Sequence, residues 1–408
     1  MKPSAQAPAR PPIAPDDPDF YRAPARAFGW LQEHSPVHLW ESAKGRPMYL
    51  VSRWADVRRV SASPAQFSSA RGHMIDLPPE GRGGCPADSR QNTPLLHNID
   101  PPEHDKHRKL VSRGLTARRV GGLEPAVRAM VTRVLDEVPV GEEIDVVSAF
   151  AAAIPLRVIA ELLGVPTSDL PLLRGWSDEL AATSDAEGAR PRQAVLSEFF
   201  DYLEVLIGER RRCPRDDLIT SLASAEVDGA RLSHPELLMH IWTALVAGNE
   251  TARNAISGGI EAFAEHPGEY RRLTTEPGIA EKAAEEVLRW TTPARYGGRT
   301  VVRPVTLAGR RLEPDDYVLM LYCAGNRDGE VFPDPYRFDI GRDSSRLHLS
   351  FGHATHFCVG SQLARLELRI LLEEFAARYR GVSAAGPVER THSPMLNGYD
   401  RVPVVLDA

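Results

Sequence analysis

Cysteine is scarce in this 408-residue chain, and the four present, Cys85, Cys213, Cys323 and Cys358, lie far apart with no paired spacing. That scatter argues against a disulfide framework and a four-cysteine zinc site, and it makes a reducing cytoplasm the natural compartment. No uncharged apolar run reaches the length of about 18 residues that a membrane-spanning helix needs. Residues 1–15 also lack the apolar core of a signal peptide; with Pro3, Pro8, Pro11, Pro12 and Pro15 they read as a disordered proline-rich tail. A strong charge excess is missing as well: a net charge of −6 and a pI near 6.1 argue against a nucleic-acid or anionic-membrane partner. No Gly/Ser linker, internal repeat or low-complexity block divides the chain, and no Gly-x-Gly-x-x-Gly turn offers a flavin or dinucleotide site. What remains is one large domain over residues 16–408, whose 42 percent apolar content supports a sizeable core.

Alternation over residues 37–40 and 48–52 predicts two short strands joined through Lys44, Gly45 and Arg46, followed by a helix over 54–61. From residue 117 to about 264 the apolar spacings, among them Val127, Val131, Val134 and Val138, keep a helical period. β character returns at 300–312, 317–322 and 402–406, so the expected class is mainly α with small β-sheets. Residues 72–101, rich in glycine and proline, form the longest irregular stretch.

The helix predicted after Ser233 is the longest. Ser233 and Glu236 form a capping box, and Leu237, Leu238, Ile241, Leu245, Ile256, Ile260 and Phe263 continue the period until Pro267 ends it. Roughly 33 residues would span about 50 Å. Its middle reads Ala247, Gly248, Asn249, Glu250, Thr251. Glycine inside a helix costs about 1 kcal/mol, so Gly248 calls for a compensating close approach by a flat ligand or dioxygen. Thr251 either bonds a carbonyl one turn back or supplies a hydroxyl beside the Glu250 carboxylate.

Residues 351–365 read Phe-Gly-His-Ala-Thr-His-Phe-Cys-Val-Gly-Ser-Gln-Leu-Ala-Arg. Cys358 sits on a glycine-bounded turn that enters an apolar helix, and the helix N-terminus with its N–H groups would stabilise a thiolate. Gly352 and Gly360 would let the main chain turn tightly past a flat ring, and Phe351 would pack beside the sulfur. Taken alone, Cys358 also reads as an ordinary buried cysteine. A zinc site of His353, His356 and Cys358 is a further reading, with ligand-like spacing but no second cluster or general base.

These strings resemble the cytochrome P450 family in five ordered places: residues 100–104, the long helix, Glu286 to Arg289, residues 326–328 and the cysteine loop. Ala354 departs from the glycine usual in the loop, and Glu250 stands where aspartate is more frequent. The resemblance implies a single-domain, α-rich triangular prism with the long helix over haem b, and Cys358 as the axial thiolate and metal ligand. It makes Thr251 and Glu250 the catalytic alcohol and acid that deliver protons. His104, Arg108, Arg299 and His356 match positions that bind the haem propionates, while Ala247, Gly248, Phe351, Gly352 and Gly360 border the ring. Glu286, Arg289 and Arg337 would form a structural network. Arg295, Leu245, Met395 and Leu396 would meet substrate, under a mobile loop at 71–94.

The implied activity is that of a soluble bacterial-type monooxygenase hydroxylating or epoxidising a small-to-medium lipophilic natural product, terpenoid, steroid or lipid with O2. NAD(P)H would supply electrons through a separate ferredoxin and ferredoxin reductase, with His104, Lys106, His107, Arg108 and Lys109 as a basic docking helix. A non-oxygenating haem-thiolate sensor or electron carrier is the alternative, needing no proton relay.

Overall fold

Helices carry most of the chain, and five of them bear on the site: α1 (Glu103–Arg113), α2 (Ala153–Leu163), α3 (His234–Glu265), α4 (Ala280–Thr291) and α5 (Ser361–Arg378). In this computed structural model the described residues are 20, 24–41, 47–72, 93, 95–181, 190–227, 229–391, 393 and 395–408. The expectations for residues 1–15, the turn at 44–46, Cys85 and most of the irregular stretch 72–101 lie outside them.

α3 begins as its sequence demands. Ser233 Oγ accepts from the Glu236 N–H at 3.4 Å and Glu236 Oε2 accepts from the Ser233 N–H at 2.7 Å, which satisfies two otherwise orphaned donors. The helix runs for 32 residues and stops at His266, whose non-helical backbone (φ −125°, ψ 68°) precedes Pro267. Leu237, Leu238, Ile241, Ile256, Ile260 and Phe263 are buried, each contributing about 1.5–3 kcal/mol relative to exposure. α3 packs on α2, α4 and α5, so one rod of backbone organises the core.

The N-terminal strands β1 (Val37–Glu41) and β2 (Pro47–Val51) pair antiparallel with Val37 opposite Val51. With β3 (Phe67–Ser68), β4 (Tyr296–Val301) and β5 (Tyr317–Leu321) they form one sheet in the order β1-β2-β5-β4-β3. Every residue of β4 is buried, which carries Arg299 into the interior opposite Val318. A second sheet joins Gly381–Ala384, Pro403–Asp407 and Glu143–Asp145. No helix among the described residues is long and apolar enough to cross a membrane.

Candidate active site

Cys358 lies between a turn at Ala354–His356 and the start of α5, and its N–H donates to the Phe351 carbonyl at 2.8 Å. Gly352 has φ +68°, where glycine is at ease, and Ala354 has φ +52°, where it is not. The sequence departure at Ala354 is therefore a real strain of about 1–2 kcal/mol. Ala354→Gly is expected to raise stability by about 0.5–1 kcal/mol after glycine's larger unfolded-state entropy is subtracted, read as a higher urea midpoint; an unchanged or lower midpoint would show that the turn carries no such strain. Gly360 sits at φ −80°, and a Cβ there would make only an ordinary 3.9 Å contact with Cys358 Sγ, so the tight turn belongs to Gly352 alone.

The Cys358 side chain has open surface, yet burial pushes its thiol above the ordinary range, against the Gly360 N–H, the Arg108 and Arg365 charges and the Ser361 N–H. Both observations describe a sulfur open on one side and crowded by protein on the others. A metal cation on the open side would tip it to thiolate. The zinc reading loses its other ligands: His353 Nε2 takes the Arg58 Nε–H at 3.1 Å, and His356 Nε2 lies 3.0 Å from Ser69 Oγ. Among the described residues no cluster of three or more His, Cys, Asp or Glu suits a metal ion.

The four positions expected to meet carboxylates do come together. His104 and His356 rings lie 4.4 Å apart, and burial, with the Arg299, His104 and Arg108 charges, pushes the His356 pKa down to about 3. His104 is 1% exposed, and its buried Nε2 has no hydrogen-bond partner among the described residues. Arg299 is 5% exposed and donates to the neighbouring Gly298 carbonyl at 2.6 Å. Asp100 lies near enough to act on it, but the Asp100 carboxylate is occupied by Ser68 Oγ and by the Ser69 N–H at 2.7 Å. Such a gathering of buried donors and positive charge is costly until anions enter it.

α3 opens at its middle. Ala247 is exposed, and Thr243, Val246, Gly248, Glu250 and Thr251 are half-exposed, on a helix otherwise largely buried. Leu245, expected to line a pocket, is instead core at 4% exposure; Thr243 and Val246 hold the open positions. On its α2 side, a Cβ at Gly248 would make an ordinary 3.4 Å contact with Ile159 Cδ1. Thr251 Oγ1 donates to the Ala247 carbonyl at 2.6 Å, one turn back. Glu250 Oε1 lies 3.6 Å from Arg253 Nη1, and Arg253 Nη2 donates to the Tyr399 carbonyl at 3.3 Å. Met395 packs beside the core cluster of Phe20, Phe28 and Leu31, and Leu396 bridges Ala294. Arg295, left between solvent and pocket by its sequence, is half-buried with Nη1 donating to the Ser393 carbonyl.

Three comparisons bear on this geometry. A family described as cytochrome P450 matches residues 187–384. The chain is 35% identical to a vitamin D(3) 25-hydroxylase of Pseudonocardia autotrophica over 95% of this chain and 94% of that protein. It is 34% identical to a steroid C26-monooxygenase of Rhodococcus jostii, covering 94% of this chain and 82% of the other. The chain belongs to the cytochrome P450 family. Its fold agrees: cytochrome P450 CYP109Q5 from Chondromyces apiculatus superposes with a TM-score of 0.87 at 33% identity, over 97% of this chain and 98% of that one.

The P450 family implies a haem-thiolate cofactor, and the residues present fit it. A sulfur with one open face suits the iron, and the buried His104 and Arg299 with the half-buried Arg108 and His356 suit two propionates.

The Glu286–Arg289 pair of this P450 is fully buried, with Nε to Oε2 at 2.8 Å and Nη2 to Oε1 at 2.7 Å. Arg289 also donates to the Asn326 and Pro335 carbonyls at 2.9 Å and to the Arg337 carbonyl at 3.1 Å. The third charge is not Arg337, whose side chain is exposed, but Arg342, whose Nε lies 3.4 Å from Glu286 Oε1. His107 likewise leaves the basic face foreseen for it: it is buried, with Nδ1 3.1 Å from His240 Nε2 of α3. The sequence reading missed Glu285, His348 and Arg365 altogether. Two successive glutamates in the mostly buried helix α4 were the available signal, since successive residues on a helix cannot share one partner face.

Proposed function

We propose that this P450 inserts one oxygen atom from O2 into a lipophilic substrate of steroid, terpenoid or related polycyclic type, in the cytoplasm, drawing NAD(P)H electrons through a separate ferredoxin and reductase. The observation that carries the reading is Cys358, open on one side beside Arg108, Arg299 and the orphaned buried Nε2 of His104. When bound, a haem held by Cys358 would supply dioxygen activation, made electron-rich by the cysteine sulfur. His104, Arg108, Arg299 and His356 would hold the propionates, and the Gly360 and Ser361 N–H groups would keep negative charge on Cys358. Thr251 turns its hydroxyl between the Ala247 carbonyl and water in the opened stretch of α3, and Glu250 passes protons to it from the Arg253 side. Val246, Met395 and Leu396, with the Thr243 methyl, give the substrate a mostly apolar wall, the Thr243 hydroxyl being turned to the Met239 carbonyl.

Substrate class draws on relatives whose names specify vitamin D3 and steroids, and on a testosterone complex of CYP109E1 from Bacillus megaterium, 29% identical at a TM-score of 0.81. The test is a difference-spectrum screen of sterols, terpenoids and fatty acids for displacement of water from the ferric iron, followed by product analysis. Binding without any oxygenated product would overturn the proposal.

The non-oxygenating reading is favoured by one contact, the Thr251 hydroxyl already bonded to Ala247. Thr251→Ala separates the two. Under the monooxygenase reading, oxygenated product per O2 consumed is expected to fall about tenfold or more while O2 consumption persists, consistent with the loss of a proton-transfer group worth about 10²-fold or more. Unchanged coupling would remove Thr251 from the relay.

A further inference from the structure

Behind the cysteine turn, between α4 and α5, lies a buried charge network that the proposed mechanism leaves unused. Glu285 of α4 is 2% exposed and accepts from Arg365 of α5 through Nε at 2.6 Å and Nη2 at 3.2 Å. His348 Nε2 lies 3.1 Å from its Oε2. The Ser350 N–H donates to His348 Nδ1 at 3.2 Å, so Nδ1 is the accepting nitrogen and Nε2 carries the proton shared with Glu285. The imidazole is thus neutral, and the Glu285 and Arg365 charges cancel. Both neighbours of Glu285 then converge on one ring: the Arg365 guanidinium carbon lies 4.7 Å from the Phe351 centroid, and the His348 centroid lies 5.3 Å from it. The Phe351 carbonyl in turn takes the Cys358 N–H at 2.8 Å.

We infer that Glu285 is a positioning residue for the axial sulfur: it clamps Arg365 against Phe351 and cancels its charge, and so sets how much electron density Cys358 gives to the iron. The inference rests on Cys358 being the haem ligand. Reduction of the iron adds negative charge beside Arg365, so the network acts on the reduction equilibrium through space. Arg365 is 27% exposed, which screens part of the effect.

The test is the iron reduction potential of the haem-loaded protein. Glu285→Gln leaves Arg365 unbalanced and is expected to favour the reduced form about tenfold, a rise of about 59 mV for a one-electron couple. Arg365→Gln leaves Glu285 unbalanced and is expected to shift the equilibrium about tenfold the other way. The double variant, and Glu285→Asp alone, should return within about twofold of the parent. Opposite signs are the signature, because a purely structural role loosens the turn identically in both single variants. Shifts of the same sign, shifts under twofold, or loss of haem from both single variants would overturn the inference. The carbon-monoxide spectrum of the reduced parent tests the ligand separately: with its thiolate band present, a failed sign test removes Glu285 and leaves Cys358 in place.

Discussion

Cys358→Ser is expected to erase the thiolate signature of the reduced carbon-monoxide complex and to cut substrate oxygenation by at least about 10³-fold, about 4 kcal/mol of transition-state stabilisation. The reason lies in the turn. Burial already pushes the Cys358 thiol up, and the Gly360 and Ser361 N–H groups with the Arg108 and Arg365 charges offset only part of that. An alcohol in the same place is far harder to ionise, so a neutral oxygen would face the iron and withhold the electron density that a sulfur anion gives. The turn itself should survive, because the main-chain bond from residue 358 to the Phe351 carbonyl needs no sulfur. Absorption of the reduced protein under carbon monoxide and product formation under saturating substrate read the two effects. An unchanged spectrum would end the assignment of Cys358.

The second large effect concerns stability. Glu286→Ala should destabilise the folded chain by about 3–5 kcal/mol, a large share of the about 5–15 kcal/mol typical of a domain. Removing the carboxylate leaves the fully buried Arg289 charge with carbonyl partners only, and it strips acceptors from the Asp339 N–H at 3.0 Å and Ser345 Oγ at 2.7 Å. Arg337→Ala offers the contrast. Its side chain is exposed and its carbonyl makes the contact, so a change within about 0.5 kcal/mol is expected. Urea unfolding with haem absorbance as a second probe measures both. Equal losses for the two variants would contradict the assignment of Arg342, instead of Arg337, as the third charge.

Much of the site was legible because helical spacing is local. The capping box at Ser233 and the apolar period after it predict where α3 starts and which face it buries, and a step of four positions places His104 and Arg108 on one face of α1. Spacing could not tell that His104 is buried and His107 turned inward to His240, since both lie on a segment that reads as uniformly polar. Nor could it choose between Arg337 and Arg342. Both belong to an irregular segment, where no period says which guanidinium folds back.

The packing of Gly248 has the same origin: the string shows only a glycine inside a helix, while its contact with Ile159, 89 positions earlier in the chain, comes from tertiary packing. Leu245 read as pocket lining because apolar lining and apolar core share one composition; burial separates them, placing Leu245 inside and leaving Thr243 and Val246 at the opening.

The amino-acid string alone carried the cysteine turn, the helix periods, the Ala354 departure and the chemical identity of each candidate donor, because all of these depend on neighbours a few residues away. Which charges share a space was settled only by packing. The Glu285–Arg365–His348 network, the return of Arg342 to Glu286 and the gathering of Arg299 with His356 join residues about 55–80 positions apart, and such contacts follow from how helices and sheet close on one another.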